Sequence, residues 1–405
     1  MTLNQSYTTM EMVKNFITNE QRRYLGLEPI GADWDVVAYR NRQNKREVTY
    51  LMFDGDTIRR GIRIYEHQYE EVQFQEQTAE GRTLLLPKTK RGKPKVLNFA
   101  ATQALQGVGC YFYVWHGNKD GERCSVGIAN HTTQQTFIHE EFQGTGIMRD
   151  DVQRWLQRWI ADTTEQDLAE LDHFKNAKRT HQAYRSGDFF AFRLSRREWG
   201  FGRILMVVNE LRKDPQFVAN KNYGLTHLMG QALIVQIYHK IALSPLAIPE
   251  ELKHLPALPA QAIMDNEFYY GEHLIIGHLP LSSEEYDPLI SLGRGLSRET
   301  SQTAYLQYGL IYKEATLEEF LASFPDYDFE HFRNEGIGFK LQFECLRECI
   351  AEQSNEPFWK NNYHRVNDDL RSPRNAAMKK RLFTFFGLDA EKTYAENLTQ
   401  GTQVV

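Results

Sequence analysis

The chain has 405 residues, of which 41% are apolar, 12% aromatic and 25% charged. At about 150 residues per domain this predicts two or three cores, and the 24 Phe, 20 Tyr and 6 Trp exclude global disorder. A net charge of −5 argues against a surface built throughout to wrap nucleic acid. No stretch approaches 18 uninterrupted apolar residues, and the first twenty lack both a charged leader and an apolar run. The chain is therefore read as cytoplasmic, with no membrane partner.

In chain order, the periodicity predicts a helix over 10–24 and then a change to period two. Segments 34–39 (WDVVAY), 48–53 (VTYLMF), 58–65, 70–74 and 108–115 read as strands, because β-branched and aromatic residues are bounded by Gly, Asp and Asn. Asp54-Gly55 predicts a hairpin turn between two of them. The sheet is expected to finish over 124–137. From Arg149 to Lys178 apolar residues recur at three- and four-residue steps, which predicts one helix joining two units.

A second β-rich unit opens in GDFFAFRLSRREWGFGRILMVV, where two apolar runs flank the polar turn Ser195-Arg196-Arg197-Glu198. Further strands are predicted at 232–238, 274–279 and 305–312, separated by loops such as 244–259 with its four prolines. Beyond Thr316 the pattern turns helical through 317–324, 338–353, 366–370 and 376–386, and the polar last eleven residues are expected to fray. The expected fold is α+β: two β-rich units joined by a helix, then a mostly helical C-terminal segment. The domains are set at 1–180, 181–316 and 317–405.

Chemistry-bearing patterns are sparse. LLLPKTKRGKPK places Lys88, Lys90, Arg91, Lys93 and Lys95 within eight residues, a loop able to grip phosphate. Because no aromatics interleave, a solvated loop is the simpler reading. Arg371, Arg374, Lys379, Lys380 and Arg381 form a second, more dispersed basic cluster. Four cysteines are too few for a disulfide scaffold. Cys345 and Cys349 share a helical face, and packing is preferred over metal binding because no further ligand lies at the required spacing. His139-Glu140-Glu141 resembles the opening of a zinc helix but lacks the second His, and His116, His131 and His139 match no ligand pattern. Neither a nucleophile elbow nor a phosphate loop is present. No cofactor, metal or catalytic residue is assigned.

At 184–205 the sequence resembles the immunity protein 26 family of bacterial polymorphic toxin systems. The pattern is Gly187 and Asp188 entering the aromatic strand with Phe190, then a turn, then Trp199, Gly200, Phe201 and Gly202 entering a second strand. IVQIYHK at 234–240 and LIIGHLPL at 274–281 extend the resemblance to about 184–313. It implies that these residues carry the fold, with no catalytic signature, and that the chain binds one cognate toxin domain and blocks it by occlusion, which requires no active site. It names neither the toxin nor the binding surface, and the oligomeric state is open. Two alternatives stand beside it: a nucleic-acid-associated protein using the basic loop, and an enzyme with a dispersed site, for which 116–141 is the candidate segment.

Overall fold

A computed structural model describes residues 13–86, 91–117, 123–286, 288–295, 302–329, 331–333, 336–360 and 368–401. The chain divides into two compact units, Met1–His181 and Gln182–Val405.

The first unit is built on antiparallel strands β1 (Asp35–Arg40), β2 (Val48–Asp54), β3 (Thr57–Tyr65), β4 (Gln68–Ala79), β5 (Leu84–Leu86), β6 (Lys95–Val96), β7 (Cys110–His116), β8 (Arg123–Asn130) and β9 (Gln135–Gln143). Their order is β1-β2-β3-β4-β7-β8-β9, with β5 and β6 branching from β4. Gly55 and Asp56 make the two-residue turn between β2 and β3, closed by the pair Asp54 and Thr57. Of the helix expected over 10–24, residues 10–12 lie outside the described set and the rest is interrupted: Thr18 caps a short helix, Asn19–Arg23, in a reciprocal box with Gln21. The single helix expected over 149–178 is also two. Helix α1 (Met148–Ala161) ends before Thr164, whose hydroxyl and amide engage Asp167 to start α2 (Glu165–Asn176). Both helices pack on the sheet, through Val152, Trp155, Leu156, Trp159 and Leu171.

In the second unit β10 (Asp188–Arg193), β11 (Trp199–Val207), β12 (Ala232–Ala242), β13 (Gln261–Met264) and β14 (Leu274–His278) form an antiparallel sheet in the order β13-β12-β11-β10-β14. A second sheet runs β15 (Ile290–Arg294), β16 (Thr303–Tyr308), β17 (Ile311–Thr316). The strand expected over 305–312 is therefore a hairpin turning at Gly309 and Leu310. Helices α3 (Leu317–Ser323), α4 (Leu346–Glu352), α5 (Ala376–Phe385) and α6 (Tyr394–Gly401) follow.

The expected helix over 338–353 shrinks to α4. Gly338 instead joins β13 as a parallel bridge, its N–H donating to Ala262 O and its carbonyl accepting from Met264 N–H. In the segment expected to be helical over 366–370, residues 366 and 367 lie outside the described set, and 368–370 form no helix. Of the last eleven residues, 402–405 lie outside the described set, and 395–401 are helical and not frayed as expected: Thr393 and Glu396 box the start of α6, and buried Asn397 donates to the Asp389, Lys392 and Thr393 carbonyls. Polar composition misled because these side chains bond backbone inside the fold.

Every residue of β11 is buried, and alternation sends its side chains to two covered faces. Phe190, Phe192 and Ile204 pack with Val235, Ile237, Leu346, Cys349 and Phe358 on one. Phe189, Ala191, Trp199 and Phe201 pack with Tyr238 and Leu252 on the other. The Phe190 and Phe192 rings lie across the glycines of the neighbouring strand. A Cβ on Gly200 would come within 2.4 Å of Phe192 Cζ, and one on Gly202 within 2.4 Å of Phe190 Cζ and 2.5 Å of Gln236 O. Since the second obstacle at Gly202 is backbone, Gly202→Val is expected to destabilise by about 1–3 kcal/mol through overpacking. Gly336→Ala, with open space around it, should change the thermal midpoint little. Equal midpoints for the two variants would refute the packing account.

Candidate functional site

The residues singled out at 187–202 converge on the β10–β11 hairpin, and all are buried. Gly187 has φ +93°, where a Cβ would come within 2.4 Å of Leu279 O, and its N–H donates to Ile204 O at 2.7 Å. Asp188 accepts the Arg185 N–H at 2.9 Å and faces His278 Nδ1 at 2.8 Å, tying the start of β10 to β14. Phe190 and Phe201 are fully buried, while Trp199 keeps 9% exposure beneath the Arg193 guanidinium, 4.5 Å from its ring.

Sequence reasoning missed the charge at the centre of this sheet. Arg203 is 1% exposed. Its guanidinium donates to Glu285 Oε1 at 2.7 Å and to the carbonyls of Leu279 and Pro280 at 2.8 and 3.1 Å, and lies 4.5 Å over the Phe189 ring. Tyr238 also stacks on Phe189, and its hydroxyl accepts a hydrogen bond from Gln236 Nε2. Burial by itself would raise the Glu285 carboxyl, but bonds from Ser282 and Arg203 hold it below the usual carboxylate range. The available signal was an arginine inside the apolar run WGFGRILMVV, since a charge in a doubly covered strand needs a partner.

The apolar surface of this unit is concentrated after β12. Leu243 and Leu246 are each 81% exposed, and Ile248 is 54% exposed. The loop is nonetheless anchored. Ala242 and Ala247 pack beneath it with fully buried Leu252, Leu246 N–H donates to Ser244 Oγ, and Pro249 begins a short helix, Pro249–Leu252. The fold thus holds three large apolar side chains outward, a pattern associated with interaction sites.

The remaining candidates disperse. Lys88 and Lys90 lie outside the described residues. Arg91 and Lys93 are exposed, and Lys95 is half-buried in β6. In the second basic cluster Arg371 donates to Asp369 and to Ala260 O, Arg374 pairs with Asp368, Lys380 with Glu391, and Lys379 and Arg381 sit over Phe383 and Phe324. The charges of that cluster are engaged by the fold's own acids and aromatic faces. His139-Glu140-Glu141 is part of β9, so it opens no zinc helix, and Glu140 accepts from Trp155 Nε1. His116 pairs with buried Asp151 at 2.9 Å, His131 stacks on Tyr111 and His139 contacts Tyr113. Among the described residues no group of three or more His, Cys, Asp or Glu is placed to hold a metal. Burial pushes the Cys110, Cys124 and Cys345 thiols up to about 12, which disfavours the thiolate at neutral pH. Cys349 packs in the core against Phe358 and its neighbours.

With this geometry in hand, residues 185–301 match the family described as Immunity protein 26. This segment carries the β10–β14 sheet, the apolar loop and Arg203 with its carboxylate partner. No curated protein and no solved structure matches the chain. Among the described residues no helix is long and apolar enough to cross a membrane.

The Arg203–Glu285 pair gives a test of the lock. Because the folded carboxyl is held below its unfolded value near 4.3, its contribution is present above that pH and is lost as pH falls through the lower folded value. Arg203→Met should cost about 1–3 kcal/mol at neutral pH, since it takes the hydrogen-bond donor from a half-buried carboxylate and from the Leu279 and Pro280 carbonyls. The gap to the native protein in urea midpoint should narrow below about pH 4. A gap independent of pH would show that packing, and not charge, supplies it.

Proposed function

We propose that the chain is an immunity protein of a polymorphic toxin system, which binds a cognate toxin domain in the cytoplasm of the producing cell and blocks it by occlusion. The observation that carries this reading is the family match over 185–301, in a segment that also bears the anchored apolar loop. Occlusion needs a stable interface of about 1,600 Å² in total and no chemistry of its own, so the chain acts as a binder and not as an enzyme. Leu243, Leu246 and Ile248 suit the centre of such an interface, because a large apolar side chain contributes about 1.5–3 kcal/mol when it leaves water. The motif residues Gly187, Asp188, Phe190, Trp199, Gly200, Phe201 and Gly202 serve the scaffold, Arg91 and Lys93 belong to a solvated loop, and Lys95 belongs to β6.

Co-expression with the toxin domain encoded beside it should protect cells, and the two should copurify in fixed stoichiometry. Leu243→Ser combined with Leu246→Ser should abolish protection without moving the thermal midpoint. Trp199→Ala should also lose protection, through a stability loss of about 3–5 kcal/mol. If Trp199→Ala keeps its midpoint and loses binding, Trp199 is an interface anchor. If the native chain protects against no neighbouring toxin, the immunity reading fails.

A further inference from the structure

The second sheet of this unit ends on β17, and two hydrogen bonds fix which way its backbone points. Gly295 N–H donates to Thr303 O and Gly309 N–H to Leu289 O, so the odd-numbered residues of β16 bond toward β15. Its even-numbered residues bond toward β17, where the register pairs them with Ile311, Lys313 and Ala315. The N–H and C=O groups of Tyr312 and Glu314 consequently point away from the sheet, and among the described residues none of them has a partner. The neighbouring N–H groups of the same parity are occupied. That of Leu310 donates to the Tyr394 hydroxyl at 3.0 Å, and that of Thr316 to Glu319 Oε2 at 3.1 Å. The edge is closed at both ends and open over two residues.

A cleft of about 580 Å³ runs along this opening, within the size range of ligand sites. Its floor is Leu310 to Glu314. One wall is Phe217 with Ala219 to Asn222, from the matched segment, and Leu398 also lines it. The wall is fixed in place: Lys221 Nζ meets both Glu314 oxygens at 2.6 Å, and Gln307 Nε2 donates to Asn222 Oδ1 at 3.2 Å. Lys221 holds φ +67°, a conformation costly for a residue with a Cβ, and the ion pair with Glu314 helps to retain it.

We propose that this edge accepts an extended segment of the toxin as an added antiparallel strand, bonded through the N–H and C=O of Tyr312 and Glu314. The inference rests on the immunity reading above and deepens it by naming the mode of contact. A second copy of this chain is the poorer occupant. Antiparallel self-pairing through the same two residues would set Lys313 directly opposite its counterpart, and like charges so placed repel. Lys313 forms no ion pair among the described residues, so the edge favours a segment that sets an acidic residue opposite it.

The test uses the full chain and the toxin domain against which it protects. Because the Glu314 N–H makes no bond to β16, Glu314→Pro removes one outward donor and leaves the ladder intact, and Glu314→Ala controls for loss of the carboxylate. The expected result is toxin binding about tenfold weaker for Glu314→Pro than for Glu314→Ala at similar thermal midpoints, with the Tyr312 and Glu314 amides of the native chain protected from hydrogen exchange in the complex. If Glu314→Pro fails to fold, the exchange measurement decides alone. A complex in which these amides exchange as freely as in the unbound chain overturns strand addition and leaves the immunity reading standing. Failure of the native chain to form any complex overturns both.

Discussion

The second unit is governed by the complete burial of β11. A strand with all nine residues out of water needs a cover on each face, and the chain supplies the two covers from different places. One comes from 244–258, where Ala247, Leu252, Leu255 and Ala257 lie against Trp199 and Phe201. The other comes from 341–358, where Leu341, Leu346, Cys349 and Phe358 close over Phe190, Phe192 and Ile204. The family match ends at 301, before the second cover begins. The matched segment therefore holds the sheet without holding all that keeps the sheet dry, and the C-terminal residues complete the core rather than forming an appendage.

The same constraint explains the polar chemistry nearby. A guanidinium within a doubly covered strand must find its partners inside, because an isolated buried charge costs far more than a single hydrogen bond returns. Arg203 finds a carboxylate, two carbonyls and the face of Phe189, which together pin the turn at 279–285 against β11. Asp188 and His278 do similar work at the edge of the sheet. These contacts resemble an active site in composition but differ in access, since Arg203 and Asp188 are both closed to solvent.

How much of this was legible in the sequence follows from the range of the interactions involved. The hairpin of β10 and β11 was readable because its signals are local: two apolar runs, a polar turn and glycines set among aromatics. The α+β class and the break at Thr316 were readable from periodicity. The two-residue turn inside 305–312 was not, since Gly309 and Leu310 interrupt an aromatic run that otherwise reads as one strand. β13 escaped because four residues, Gln261–Met264, carry too little pattern, and its pairing depends on β12 and on Gly338, both distant in sequence. Lys221–Glu314 and Gln307–Asn222 were likewise invisible, because each joins residues more than eighty positions apart.

What burial leaves over is as informative as what it uses. The core of the second unit draws in aromatic and branched side chains from both ends of its sequence, yet Leu243 and Leu246 stay in water beside Ala242 and Ala247, which are half-buried against that core. Folding alone would favour the reverse arrangement, with leucines inward and alanines outward, because the larger side chain gains more from leaving water. The edge of β17 has the same character: satisfied where side chains can reach it and open for two residues where they do not. Water can bond the open N–H and C=O groups of β17 but gains nothing from Leu243 and Leu246, whereas a protein partner would supply both apolar area and backbone hydrogen bonds.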